Sequence, residues 1–334
     1  MKPHAITAAA FALSFAFAFA FATVANTADA QTTTQRYPSK TIRFVSPFAA
    51  GGSTDGLARL IGQRLTEAWE QPVVVDNRPG AGGTLGSDIV AKAPPDGHTI
   101  LLTSVSAHAI GPAMRRKMPY DPVKDFATLS QVASGHNVLA VHPSLPVKSV
   151  KELLALARAK PGQLTYGSGG VGTTTHIAGE LFKSLGKVDL VHVPYKGGGP
   201  LSIALLSGEI SISFGSIATV LPQVRAGRQR ALAVTGAARA QAMATLPTVA
   251  EAGIAGYEMN SWYGVLAPAA TPRDIVQRLS AEIARIIKLP ETRERLAHEG
   301  QEAAGTTADE FATYLRSEVE KWARVVKSSG VPIE

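Results

Sequence analysis

The chain has 334 residues, no cysteine, and a formal net charge of +7 from 33 Lys and Arg against 26 Asp and Glu. The missing cysteines exclude disulfide frameworks, thiolate nucleophiles, cysteine-ligated zinc and a bacterial lipoprotein anchor, so stability must come from burial. Lys and Arg are scattered rather than clustered and only 6% of residues are aromatic. That argues against a nucleic-acid surface and leaves attraction of small anions or plain solubility as the use of the charge.

Lys2, the Ala/Phe-rich run at residues 8–24 and the small-x-small triplet Ala28-Asp29-Ala30 have the form of an export signal cleaved near Ala30. A polar stretch follows without a basic stop-transfer cluster, so cleavage and release into the periplasm are expected rather than a membrane anchor.

Beyond it, short β-branched runs alternate with longer amphipathic stretches, the pattern of an α/β protein with largely parallel sheets. Strands are predicted at 41–46, 73–76, 99–103, 137–142, 164–167, 190–193, 210–214, 231–235 and 263–267. Helices are predicted at 56–69, 85–92, 149–160, 174–185, 200–207, 221–226, 272–288, 290–299 and 308–328. In the last of these, Phe311, Leu315, Val319, Trp322 and Val326 form an apolar stripe at helical spacing. If the middle third forms its own βα unit, two connections join the lobes and make a hinge. The expected domains are residues 36–133 with 258–334, and residues 134–257, after a signal peptide at residues 1–30.

Two Gly/Ser/Thr turns each lead from a predicted strand into a predicted helix. The first runs Phe48-Ala49-Ala50-Gly51-Gly52-Ser53-Thr54-Asp55, the second from Ser168 through Gly170 and Gly172 to Thr173 and Thr174. A helix N-terminus presents unpaired N–H groups and the positive end of a dipole, so each turn is a candidate anion seat, and two of them suggest a clamp. Asp55 either organises its loop or receives an ammonium group, and the residues alone leave both open. Tyr195 and Lys196 stand at a third strand-to-helix turn, where Tyr195 is a candidate wall of the site, and Gly215-Ser216 ends another strand of the same half.

Other chemistries are weaker. The glycines of Asn77-Arg78-Pro79-Gly80-Ala81-Gly82-Gly83 are out of register with a dinucleotide fingerprint. His176 and Glu180 are spaced i, i+4 without a third metal ligand, and no nucleophile elbow occurs. A hydrolase with Ser168 as nucleophile would have only His176 as its base. No cofactor, metal or catalytic residue is expected.

The ordered motifs of the chain resemble those of the substrate-binding receptors of tripartite tricarboxylate transporters, the Bug receptors. They include Pro47-Phe48-Ala49-Ala50-Gly51-Gly52-Ser53-Thr54-Asp55, Asn77-Arg78-Pro79-Gly80-Ala81-Gly82-Gly83, Tyr166-Gly167-Ser168, Val193-Pro194-Tyr195-Lys196-Gly197, Leu232-Ala233-Val234-Thr235 and Trp262-Tyr263-Gly264. The resemblance implies a type II Venus-flytrap fold of two α/β domains, a carboxylate ligand in the cleft between them, and membrane permease subunits as partners of a monomeric receptor. It also implies that Ala49 to Asp55 and Ser168 to Thr174 clasp the carboxylate through backbone amides. Ser104, Ser106, Tyr195, Gly215, Ser216 and the Trp262 region would shape the remainder. Many relatives carry an acidic side chain where this chain has Gly215, so that contact is missing here. A sensor subunit for a signalling partner is the other non-enzymatic reading.

Overall fold

The computed structural model describes residues 37–329; the expected export signal lies outside the described residues. In chain order come β1 (Ile42–Ser46), α1 (Ser53–Trp69), β2 (Val73–Asn77), α2 (Thr84–Ala91) and β3 (Thr99–Ser104), followed by a π-helical turn at Ser106–Ile110. Next are β4 (Phe126–Val141), α3 (Val150–Ala159), β5 (Thr165–Ser168), α4 (Thr174–Gly186), β6 (Val191–Pro194), α5 (Gly198–Ser207), β7 (Ile212–Ser216), α6 (Ile217–Arg225) and β8 (Arg230–Val234). The chain closes with β9 (Asn260–Pro268), α7 (Arg273–Lys288), α8 (Pro290–His298), β10 (Gln301–Ala303) and α9 (Ala308–Ser329).

The path through the sheet is β2-β1-β3-β9-β4-β7-β5-β6, with β8 and β10 also paired to β4. Both ends are parallel groups built from βαβ crossovers: β1 with β2 and β3, and β5 with β6 and β7. Their inner strands are largely buried on both faces, which is why β1 and β3 read as mostly apolar runs, while the edge strands β2 and β6 are partly exposed. The amphipathic α1 buries Leu57, Leu60, Ile61 and Leu65 at helical spacing. Each is worth roughly 1.5–3 kcal/mol of transfer free energy, so packing rather than propensity holds the helix.

The centre departs from the largely parallel expectation. β9 is antiparallel to both β3 and β4, and β4 is antiparallel to β7 and β8. The strand predicted at 137–142 also begins eleven residues earlier, at Phe126. Its first part pairs β9 from Phe126↔Pro268 to His136↔Asn260, and its last part, Asn137 to Val141, pairs β7. One 16-residue strand therefore runs through both parallel groups. The polar run Ser134-Gly135-His136-Asn137 has little strand propensity by itself; pairing with β9 and β10 overrides it.

The apolar stripe of α9 is buried at Phe311, Leu315, Trp322 and Val326. Gly264 of β9 admits the Phe311 ring where any Cβ would collide with it. Trp262 Nε1 on β9 and Trp322 Nε1 on α9 both donate to Glu318 Oε2, at 2.9 and 3.1 Å, fixing the last helix against the central strands.

Candidate functional site

The first turn follows β1 because Gly51, at φ +83°, bends the chain where a side chain would be strained. Gly52 caps α1 without a side-chain bond, so the amides at the helix start receive no capping oxygen from it. Asp55 braces the turn from behind. Its carboxylate accepts the Gly51 N–H at 3.0 Å, Arg59 Nε at 3.1 Å and Asn77 Nδ2 at 3.0 Å. Burial raises its pKa, but these hydrogen bonds and the Arg59 charge outweigh burial and hold the carboxyl below its ordinary value. Asn77 Nδ2 also donates to the Phe48 carbonyl at 3.0 Å.

The second turn carries its own internal bonding. Thr173 is the N-cap of α4, accepting the His176 N–H at 3.3 Å while donating to the Gly170 carbonyl at 2.6 Å. Thr175 Oγ1 accepts the Gly169 N–H at 2.8 Å. Gly172 N–H donates to His176 Nδ1 at 3.3 Å, and Glu180 accepts the Tyr166 hydroxyl and pairs with Lys183, so neither half of the i, i+4 pair is a spare metal ligand. Ser168 Oγ pairs with His192 Nε2 at 2.6 Å and accepts the Gly170 N–H at 3.1 Å. His192, whose pKa burial drives down to about 4 with help from neighbouring His176, was not legible as a partner of Ser168. Ser168 is fully buried and off the cavity wall, so the pair has no access to a substrate there.

The two turns meet. Ala49 N–H donates to the Lys196 carbonyl at 3.1 Å, and Thr174 N–H donates to Ser106 Oγ at 2.9 Å. Between them lies a cavity of about 70 Å³. Of the sequence-predicted residues, Phe48, Gly52, Ser53, Thr54, Ser104, Ser106, Thr173, Thr174, Gly215 and Ser216 line it. Ala49, Ala50, Gly51, Asp55, Ser168 and Gly172 do not; they form the turns from behind. Gly170 and Tyr195 line a neighbouring cavity of about 300 Å³ that includes Gly82, Arg115 and Lys196 and shares Phe48 with the first. The Tyr195 hydroxyl donates to Glu209 at 2.7 Å.

Sequence reasoning missed Asn137, Thr175, Gly197, Gly198 and Leu201 on the cavity wall, and had Ser261 and Tyr263 only through the Trp262 region, where they rather than Trp262 line it. Asn137 and Ser261 sit where β4 and β9 pass between the parallel groups, so knowing that both connections flank the cleft would have found them. Ser261 Oγ donates to Asn137 Oδ1 at 3.2 Å, and Asn137 Nδ2 to Thr174 Oγ1 at 3.5 Å. No acidic or basic side chain lines this cavity among the described residues. It can therefore receive an anion through the uncapped amides at the α1 start, the α4 dipole and the wall hydroxyls rather than through an arginine fork, the Thr174 and His176 amides being already bonded to Ser106 and Thr173.

Comparison with known proteins gives the family and the fold. The chain is 39% identical over 87% of its length to the UPF0065 protein in the tcbD-tcbE intergenic region of Pseudomonas sp. (strain P51), covering 86% of that protein. A solved periplasmic transporter superposes with TM-score 0.86 at 40% identity, over 89% of this chain and all of that one. R. palustris Rpa4515 with adipate does so with TM-score 0.85 at 38% identity, over 88% of this chain and 98% of that one. These neighbours give the fold as that of the periplasmic solute-binding proteins. Residues 57–331 match the tripartite tricarboxylate transporter family receptor, and the chain belongs to that family of receptors, which are not enzymes.

Proposed function

We propose that the protein is a periplasmic receptor that captures a small organic carboxylate in the cavity between the starts of α1 and α4 and delivers it to the permease subunits of a tripartite transporter. The observation that carries this reading is the convergence of both helix starts on one cavity without a charged side chain. Adipate in a 38%-identical neighbour supports the same ligand class. The carboxylate is held by amides and hydroxyls of the two turns, with Phe48, Ser104, Ser106, Gly215 and Ser216 shaping the wall. The protein acts as a monomer, after removal of residues 1–30. Residues 36–133 with 258–334 form one lobe and residues 134–257 the other, closing over the ligand.

A thermal-shift panel of organic acids, their amides and neutral sugars tests this. Ligand at about a hundred times its dissociation constant adds about 2.7 kcal/mol to stability. Stabilisation by acids alone is expected; preference for amides or sugars would exclude the carboxylate site.

A further inference from the structure

The cavity wall is charge-neutral on the protein side, and that selects among carboxylates. The carboxylate of Asp55, in the turn beside the cavity, is engaged by Gly51, Arg59 and Asn77 and does not reach the wall. Apart from the starts of α1 and α4 the polar wall consists of the hydroxyls of Ser104, Ser106, Ser216, Ser261 and Tyr263 and the amide of Asn137. Asn137 is 2% exposed, and its Oδ1 is committed to the Ser261 hydroxyl, so the amide turns its NH2 donors toward Thr174 and the α4 start. Ser104 Oγ, buried and without a hydrogen-bond partner among the described residues, adds a further polar group on the same wall.

A carboxylate entering this cavity meets amide dipoles at their positive ends and hydroxyls that can donate. An ammonium group on the same ligand would be stripped of water with no formal negative charge to receive it, a heavy penalty in a buried site. Such an unpaired charge is an effective device for rejecting one of two similar ligands.

Resting on the reading that this cavity is the ligand site, we infer that the receptor selects organic acids that lack an amino group and rejects the matching amino acids, with Asn137 as the specificity-determining residue. Aspartate at position 137 is nearly isosteric with Asn and would put a carboxylate on the wall between the Ser261 and Thr174 hydroxyls.

Calorimetry on the processed full chain with the pairs succinate and aspartate, glutarate and glutamate, and adipate and 2-aminoadipate decides the matter. The wild type is expected to bind at least one plain acid about a hundredfold or more tighter than its amino counterpart. Asn137→Asp should shrink that ratio by about tenfold or more, because the plain diacid now faces a like charge and the ammonium gains a partner. Ser216→Asp, at an N-cap position where Asp is well tolerated, supplies a second carboxylate on the same wall if Asn137→Asp fails to fold. Equal or tighter binding of the amino acid by the wild type overturns the selection while leaving the carboxylate reading intact. Binding of neither series overturns both. A ratio unmoved by either folded Asp variant removes Asn137 and the neutral wall as its cause.

Discussion

Gly199, at the start of α5, packs so closely on Ala50 that any Cβ on Gly199 would collide with the Ala50 carbonyl oxygen. Backbone therefore meets backbone where the first turn touches the Gly197-Gly198-Gly199 turn, next to the hydrogen bond from Ala49 to Lys196. Gly199→Val should leave the fold intact and weaken ligand binding by more than about tenfold, because a branched side chain there would force the two turns apart beside the cavity. Gly56, one turn into α1 with nothing within 4 Å of a Cβ, provides the contrast. Gly56→Ala should raise stability by about 0.8–1 kcal/mol without changing affinity. Calorimetry and urea melts on both variants check the pair; unaltered affinity in Gly199→Val would show that this approach plays no part in binding.

Asp55 is expected to act on stability rather than on ligand charge. Asp55→Ala removes the acceptor of the Gly51 N–H and one of the two acceptors of the Asn77 amide and should cost roughly 1–3 kcal/mol. Because the folded-state pKa lies below the ordinary carboxylate value of 3.8, its contribution is full above that value and is lost as the pH falls through the folded-state value. In Asp55→Asn the acid end of the stability profile should flatten. Denaturant melts between about pH 2 and 6, the window in which such carboxyls titrate, measure the slope.

His192 gives a pH dependence of the same sign by a different route. Its pKa is lowered from 6.5 to about 4, first by burial and then by His176, with Glu180 opposing and Lys183 adding to the shift. The unfolded chain thus binds a proton that the folded one refuses, and stability declines as the pH falls from about 6.5 toward about 4. His192→Gln should remove that decline, and Ser168→Ala should lower stability by about 0.5–1.5 kcal/mol through the lost buried bond. A Ser168→Ala protein that keeps its stability but loses ligand would mean the hydroxyl serves the ligand instead.

Lys196 is exposed and makes no side-chain ion pair or hydrogen bond among the described residues. Its backbone carbonyl, however, accepts the Ala49 N–H. Lys196→Ala preserves that bond and should change affinity less than about threefold, with any loss in the association rate and diminished by salt. Stopped-flow binding at two ionic strengths separates this from a direct contact, which would appear in the dissociation rate.

The two strand-to-helix turns were legible because Gly supplies the bend and Ser or Thr the cap at such junctions: Thr173 is the N-cap of α4 and Gly51 the φ-positive bend before α1. What the turns bond to was not. Ser168 and His192 lie 24 residues apart on neighbouring strands, and only the parallel register of β5 with β6 brings them together. Likewise, Asn137 read as the first residue of an ordinary strand. Its place on the cavity wall follows from β4 extending back to Phe126, through a polar stretch whose strand character is supplied by its neighbours. Residues fixed by local backbone chemistry were thus visible, and residues fixed by pairing were not.

The unbroken course of β4 has a mechanical consequence. Two parallel groups joined only by loops could move independently, whereas here one hydrogen-bonded strand is shared by both. The register irregularities between Thr128 and Ser130, Gln131 and Ala133, and Leu139 and Ala140 are the points at which the ladder is already broken. Any movement of one parallel group against the other is expected to be taken up at these three places rather than along the regular ladder.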